Sequence, residues 1–106
     1  MDSPKQAFEE LTAAYGARDP LVKAGKMMSS PAITWSGMVF IFLSRRNDIV
    51  FKLGKGFDPA STGCAGLVEF NPFKNKGPLR GWFACPAECG QLWHSLAEQA
   101  YDIIRE

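Results

Sequence analysis

The sequence predicts a two-layer α+β fold: an antiparallel five-stranded sheet with helices on one face, in the order α-β-β-β-α-β-β-α. Three observations predict it. The stretch Gly37–Gly54, GMVFIFLSRRNDIVFKLG, holds two apolar runs, Met38–Leu43 and Ile49–Leu53, joined by the turn residues Arg45-Arg46-Asn47-Asp48. Short apolar runs bounded by turn chemistry are the mark of paired strands buried on at least one face. Both ends of the chain repeat apolar residues at helical spacing. The strands between them follow one another through short turns, which implies antiparallel pairing with the helices gathered on one side.

In chain order, Ser3-Pro4-Lys5-Gln6 has the form of a capping box with proline at the first helical position. Ala7, Phe8, Leu11, Ala14 and Tyr15 then share a helical face, and Gly16 is placed to end the helix. Asp19-Pro20 marks a turn. A first strand is expected within Leu21–Met28, with Lys23 and Lys26 suggesting a sheet edge; Ser29-Ser30-Pro31 breaks it, and Ala32–Ser36 leads into the central hairpin. Asp58-Pro59 followed by Gly63 suits one helical turn. Two more strands are expected near Ala65–Phe70 and Leu79–Cys85, separated by the turn-rich loop Asn71–Pro78. The last element, from about Pro86 to Ile104, reads as a single amphipathic helix with Cys89, Leu92, Trp93, Leu96, Ala97, Ala100, Ile103 and Ile104 on its apolar face. Alternation along the strands puts Ile49, Phe51, Leu53, Val68, Phe70 and Phe83 toward the helices. It puts Val50, Lys52, Leu67, Glu69, Arg80 and Trp82 on the opposite face, which is too mixed to be a second core.

The 106 residues suit a single domain, and 46% apolar with 22% charged residues is the balance of a globular chain. No apolar run is long enough for a membrane span. The charged start MDSPKQAFEE does not read as a signal peptide. Three cysteines, an odd count without a dense framework, point to a reducing compartment, so a cytoplasmic location is expected. The net charge of +1 is unevenly spread: residues 1–20 sum to −2, residues 81–106 to −3, and residues 21–80 to +6. Acidic terminal helices thus flank a basic sheet region, a segregation that can attract polyanions or simply guard strand edges.

Particular residues in this order resemble the N-terminal domain of TfoX and the related YjbR-like proteins. They are Val22 with Lys26-Met27-Met28, the glycine-led hairpin Gly37–Gly54 with its Phe-Lys-Leu end, the Phe70-Asn71-Pro72 corner, Trp82 in the last strand, and Pro86 opening a helix that carries Trp93 and Ala100. The likeness covers residues 7–105. It implies a two-layer α+β arrangement similar to secretion chaperones. It also implies a regulatory role: TfoX-type proteins as regulators of competence genes, YjbR-like ones as DNA-binding, with no catalytic site to carry over. Two departures stand out. Met27-Met28-Ser29 replaces the family's Met-Phe-Gly, and the segment around Asp58–Gly63 is shorter than the family's middle helix. The chain also ends where longer competence regulators continue into a second domain.

No catalytic constellation can be assembled, so no enzymatic activity and no cofactor are expected. Cys64, Cys85, Cys89 and His94 are conceivable zinc ligands, but the only close pair is Cys85-x₃-Cys89, and buried small hydrophobes with an exposed histidine suit the set better. Cys89, near a helix start, is the one candidate for a lowered thiol pKa, without His94 beside it as a base. The glycines of Gly54-Lys55-Gly56 and Gly63–Gly66 lack the Lys-Ser/Thr ending of a phosphate loop. Two binding expectations remain, with a small-molecule pocket between sheet and last helix as a weaker third. One is a protein partner or homodimer on the face carrying Val50, Lys52, Leu67, Glu69, Arg80 and Trp82. The other is salt-sensitive nucleic-acid binding through Arg45, Arg46, Lys52, Lys55, Lys74, Lys76 and Arg80, with Phe73 and Trp82 as stacking groups.

Overall fold

The structure, a computed structural model, describes residues 3–71 and 78–106. Its elements are α1 (Pro4–Arg18), β1 (Val22–Met27), β2 (Ser30–Trp35), β3 (Met38–Leu43), β4 (Ile49–Lys52), a 3-10 turn at Pro59–Thr62, β5 (Val68–Glu69), β6 (Trp82–Cys85), a 3-10 segment Ala87–Leu92, and α2 (Trp93–Ile104). One sheet of six strands runs β1-β2-β3-β4-β6-β5, every neighbouring pair antiparallel. The α+β class and the single antiparallel sheet hold; the strand count does not. Ser30–Trp35 is a strand in its own right, not a lead-in. Pro31 is tolerated there because it sits at the strand's start, beyond Ala32↔Phe42, the last pair that β2 makes with β3.

Helix α1 starts where its cap is: the Ser3 hydroxyl accepts the Gln6 amide at 3.1 Å, with Pro4 at the first position. It does not end at Gly16 but continues to Arg18, where Asp19 turns the chain out. The long C-terminal helix is divided. Cys89 leaves helical geometry (φ −110°, ψ 27°), so Ala87–Leu92 is a kinked 3-10 segment and α2 has 12 residues. Gly90 and the tether at Cys89, described below, account for the break.

Both helices cover the same face of the sheet. Phe8, Leu11, Tyr15, Trp93, Leu96, Ala97, Ala100 and Tyr101 close over Ile33, Phe40, Ile41, Ile49, Phe51 and Phe83, the last six 0–3% exposed. The β2–β3 register shifts between Ile33 and Thr34, so Phe40 has no residue opposite it and joins Ile41 against the helices. Where a small-molecule pocket between sheet and last helix was the weaker expectation, the described side chains pack as core. The other face, called the reverse face below, carries a second buried cluster: Ala32, Phe42, Val50, Phe70 and Ala84, rimmed by Met27, Val39, Leu79 and Trp82. The expectation was a face too mixed to be a second core; five of its residues are nonetheless buried together. The alternation expected in β5 is corrected. Val68 pairs with Ala84 and Glu69 with Phe83, so Leu67 and Glu69 go to the helix side while Val68 and Phe70 go to the reverse. A one-residue difference in register exchanges faces completely. In a two-residue strand that register is set from outside, by Leu67 dropping into the main core and Phe70 meeting Phe42 edge-on.

Candidate functional site

The reverse face is built by alternation from all six strands. Lys23 on β1 lies opposite Thr34; Phe42, Val50 and Ala84 lie in line across β3, β4 and β6; Lys52 lies opposite Trp82. Phe42 packs against Phe70 with ring centroids 5.2 Å apart and against Trp82 at 5.5 Å. The Lys52 ammonium stands 5.9 Å from the Trp82 ring centre, covering the half-buried indole with charge. At one end, the β3–β4 turn carries Arg45 and Arg46, both exposed. Ser44 organises that turn, its hydroxyl accepting the Arg46 and Asp48 amides at 3.2 and 3.3 Å. Arg46 donates from Nη2 to the Asn71 carbonyl at 3.1 Å. Asp48 offsets some of the positive charge, and its partial burial pushes its pKa up. Between the turn and the aromatic cluster lies a cavity of about 330 Å³ with Ser30, Phe42, Ser44, Arg45, Arg46 and Phe70 in its walls.

The six residues expected on one contact face are split by this geometry. Val50, Lys52 and Trp82 are on the reverse face, but Val50 is 0% exposed and offers no surface. Leu67, 2% exposed, belongs to the main core. Glu69 accepts the Gly81 amide at 3.3 Å and, with Arg80, Lys55 and Phe57, borders a groove on the helix side of the β5–β6 edge. Gly81 is required there: its φ is +86°, and its carbonyl takes the amides of both Leu53 and Gly54. Of the expected polyanion contacts, Arg45, Arg46 and Lys52 are on the reverse face, Lys55 and Arg80 are at that edge groove, and Lys74, Lys76 and Phe73 lie outside the described residues.

The cysteines are buried, as small hydrophobes are, but two are not free. Cys64 and Cys89 form a disulfide with their Cα atoms 6.3 Å apart, tying the loop after the 3-10 turn to the kink before α2. The bond removes the premise that led from cysteine count to a reducing compartment. Cys85 is the free thiol, and burial pushes its pKa up to about 11. His94 is exposed on α2. Among the described residues no three His, Cys, Asp or Glu side chains are grouped to hold a metal ion, and no helix is long and apolar enough to cross a membrane.

A second polar constellation, at the end of α1, was not read in the sequence. The Asp19 carboxylate accepts from the Tyr101 hydroxyl (2.6 Å), Trp35 Nε1 (3.1 Å) and the Leu21 amide (2.9 Å), which hold its pKa below the usual range, the tyrosine bond foremost. Glu98 accepts from the Tyr15 hydroxyl and, at 2.8 Å, from Arg18 Nη1; these bonds lower its pKa in the same way. The Arg18 guanidinium lies 4.9 Å and the Arg105 guanidinium 4.1 Å from the Tyr101 ring centre. Each of these carboxylates and phenols has its partner, and together they clamp α1, α2 and β2 to one another. The signal was present as Asp19, Tyr15 and Tyr101, but tyrosines at helical spacing read as core.

Comparison with protein-family models, curated proteins and solved structures finds no match for this chain.

Proposed function

We propose that this chain is a non-catalytic regulatory or adaptor domain that binds an acidic protein surface through the reverse face of its sheet. The observation that carries the reading is the placement of Lys23, Lys52, Arg45 and Arg46 around a half-covered apolar cluster, with the acidic residues Glu9, Glu10, Glu98 and Asp102 on the helices opposite. Val68 (54% exposed) and Met28 (49%) add apolar contact area at two margins of that face. Cations around exposed apolar groups suit a protein partner, where charge sets orientation and approach while apolar contacts supply affinity. The likeness to TfoX N-terminal proteins supports a regulatory role, while that to YjbR-like ones leans to the second reading below.

Nucleic-acid binding, in transcriptional or competence regulation, is the second reading, and Lys52 over Trp82 favours it. It is the weaker one because Phe42 and Phe70 are buried, leaving Trp82 without a neighbouring stacking platform on the described surface.

Photo-crosslinking from position 68, with position 9 on α1 as the control, tests both. The expected result is a protease-sensitive adduct from Val68→benzoylphenylalanine that disappears in an Arg45→Glu/Arg46→Glu background. Equal labelling from position 9, or an adduct unaffected by the charge reversal, would reject the reading. A nuclease-sensitive adduct would replace it with the second.

A further inference from the structure

We propose that the cavity beside the β3–β4 turn is a binding site for a small organic acid, one carboxylate or phosphate carried on a flat apolar body. The inference does not rest on the partner reading, since the cavity can take such a ligand whether or not the face docks onto a protein.

Three features converge there. The floor is apolar and preformed: Phe42 and Phe70 meet edge to face (81° between ring planes), and both are fixed by the sheet behind them. Arg45 and Arg46 both line the cavity and no Asp or Glu is among its described walls; the Arg46 bond to the Asn71 carbonyl holds that guanidinium in place. Guanidinium forks match carboxylate and phosphate oxygens, and such charge-assisted bonds are the strong ones. The third feature is the hydroxyl pair. Ser30 is 7% exposed, lines the cavity, and its Oγ makes no hydrogen bond among the described residues. No buried side-chain polar atom among the described residues is left without a partner, so this hydroxyl is reached by solvent from the cavity and is free to bond a ligand there. Ser44 Oγ accepts two backbone amides, which leaves its own hydrogen to donate.

The site therefore presents hydroxyl donors and fixed positive charge above an aromatic floor. A volume of about 330 Å³ is at the small end of ligand pockets, enough for a single ring with an acidic group. A bound acid neutralises Arg45 and Arg46, so the same ligand would lower the attraction of this face for acidic macromolecules.

Amide chemical-shift titration of the whole chain tests the site, with phenyl phosphate and benzoate as probes, benzamide as the neutral isostere, and inorganic phosphate as the bare ion. The expected result is saturable shifts at Ser30, Phe42, Ser44, Arg45, Arg46 and Phe70 with one or both aromatic acids, at least about tenfold tighter than with benzamide or inorganic phosphate. Arg45→Gln/Arg46→Gln should weaken binding by about tenfold or more. Ser30→Ala should weaken it a few-fold with the rest of the spectrum unchanged, and it serves as the second variant if the arginine pair disturbs the turn. No saturable shift up to about 10 mM, equal affinity for benzamide, or shifts spread over all surface cations would overturn the site. Loss of acid binding with the crosslink from position 68 intact would fail this proposal alone; the reverse outcome would fail the partner reading alone.

Discussion

The two faces of the sheet start from similar material and end differently. At the centre both are apolar: Ile49 and Phe51 on one side of β4, Val50 on the other, all 0% exposed. On the helix side two amphipathic helices complete the core, and a disulfide and a tyrosine–carboxylate clamp fasten its margins. On the reverse side the described chain supplies five buried residues, a half-buried indole, and long cationic side chains laid around them. The comparison separates two meanings of a greasy strand. One face is covered by two helices of its own chain; the other is only partly covered by the described residues.

The largest expected effect tests that asymmetry directly. Phe51→Ala opens a cavity under the helices and should cost about 3–5 kcal/mol in urea unfolding. Phe70→Ala, at the margin of the reverse cluster, should cost less than half of that, because water can enter from the neighbouring cavity. Equal costs would make the reverse face a true second core and remove the distinction. Next comes the tether. Cys64 and Cys89 are 25 residues apart in sequence, so replacing both by Ala should lower stability by about 3 kcal/mol, on the chain-entropy account. A reductant should do the same to the parent and nothing to the double variant. Alkylation counting should find one reactive thiol in the unfolded oxidised chain and three after reduction.

How legible this was depended on how many independent signals marked each element. The central hairpin was read to within one residue of its bounds (β4 ends at Lys52, not Leu53) because six apolar residues, a polar turn and four more apolar positions agree with one another. Their continuity, with hardly any alternation, is itself the mark of burial on both faces, which the reading of at least one buried face left open. Ser30–Trp35 was passed over because Pro31 is a strand breaker in general, while its position at the strand's start, knowable only from the pairing, makes it harmless. Val68 and Glu69 went to the wrong faces because a two-residue strand carries too little alternation to fix its own register. Arg45, Arg46 and Trp82 were legible as binding candidates from charge and aromaticity. Ser30 was not, because a serine beside a turn looks ordinary until its neighbours enclose it.

Acidification should move the two regions in opposite directions, by less than the tether does. At the clamp, the folded pKa values of Glu98 and Asp19 are lowered, so their stabilisation is complete above about pH 4–5 and is lost as pH falls through the lower folded values. Glu98→Gln should flatten that loss in denaturation midpoints followed from pH 7 to 2. Asp48, beside the reverse-face turn, has its pKa raised by burial, so it opposes folding as pH rises from about 4 through its folded value. Asp48→Asn should therefore raise the midpoint at neutral pH relative to its effect at pH 3. Two slopes of the same sign would contradict the contrast.

The smallest effect sits at the turn that borders the reverse-face cavity. Met28 and Ser29 both hold positive φ, 51° and 68°, the pair of left-handed residues that a two-residue hairpin needs to follow the twist of β1 and β2. Neither has the freedom of glycine, and an L-residue with a side chain pays about 1 kcal/mol in that region. Glycine at position 29 removes most of this cost and gives some back through the greater freedom of the unfolded chain. Ser29→Gly should thus stabilise by a few tenths of a kcal/mol, up to about 1. Ser36-Gly37, the corresponding turn between β2 and β3, already has glycine at its second position, with φ 86°, and supplies the control. Gly37→Ser should destabilise by a similar amount. If Ser29→Gly instead destabilises, the serine makes a contact within the chain worth more than its backbone strain.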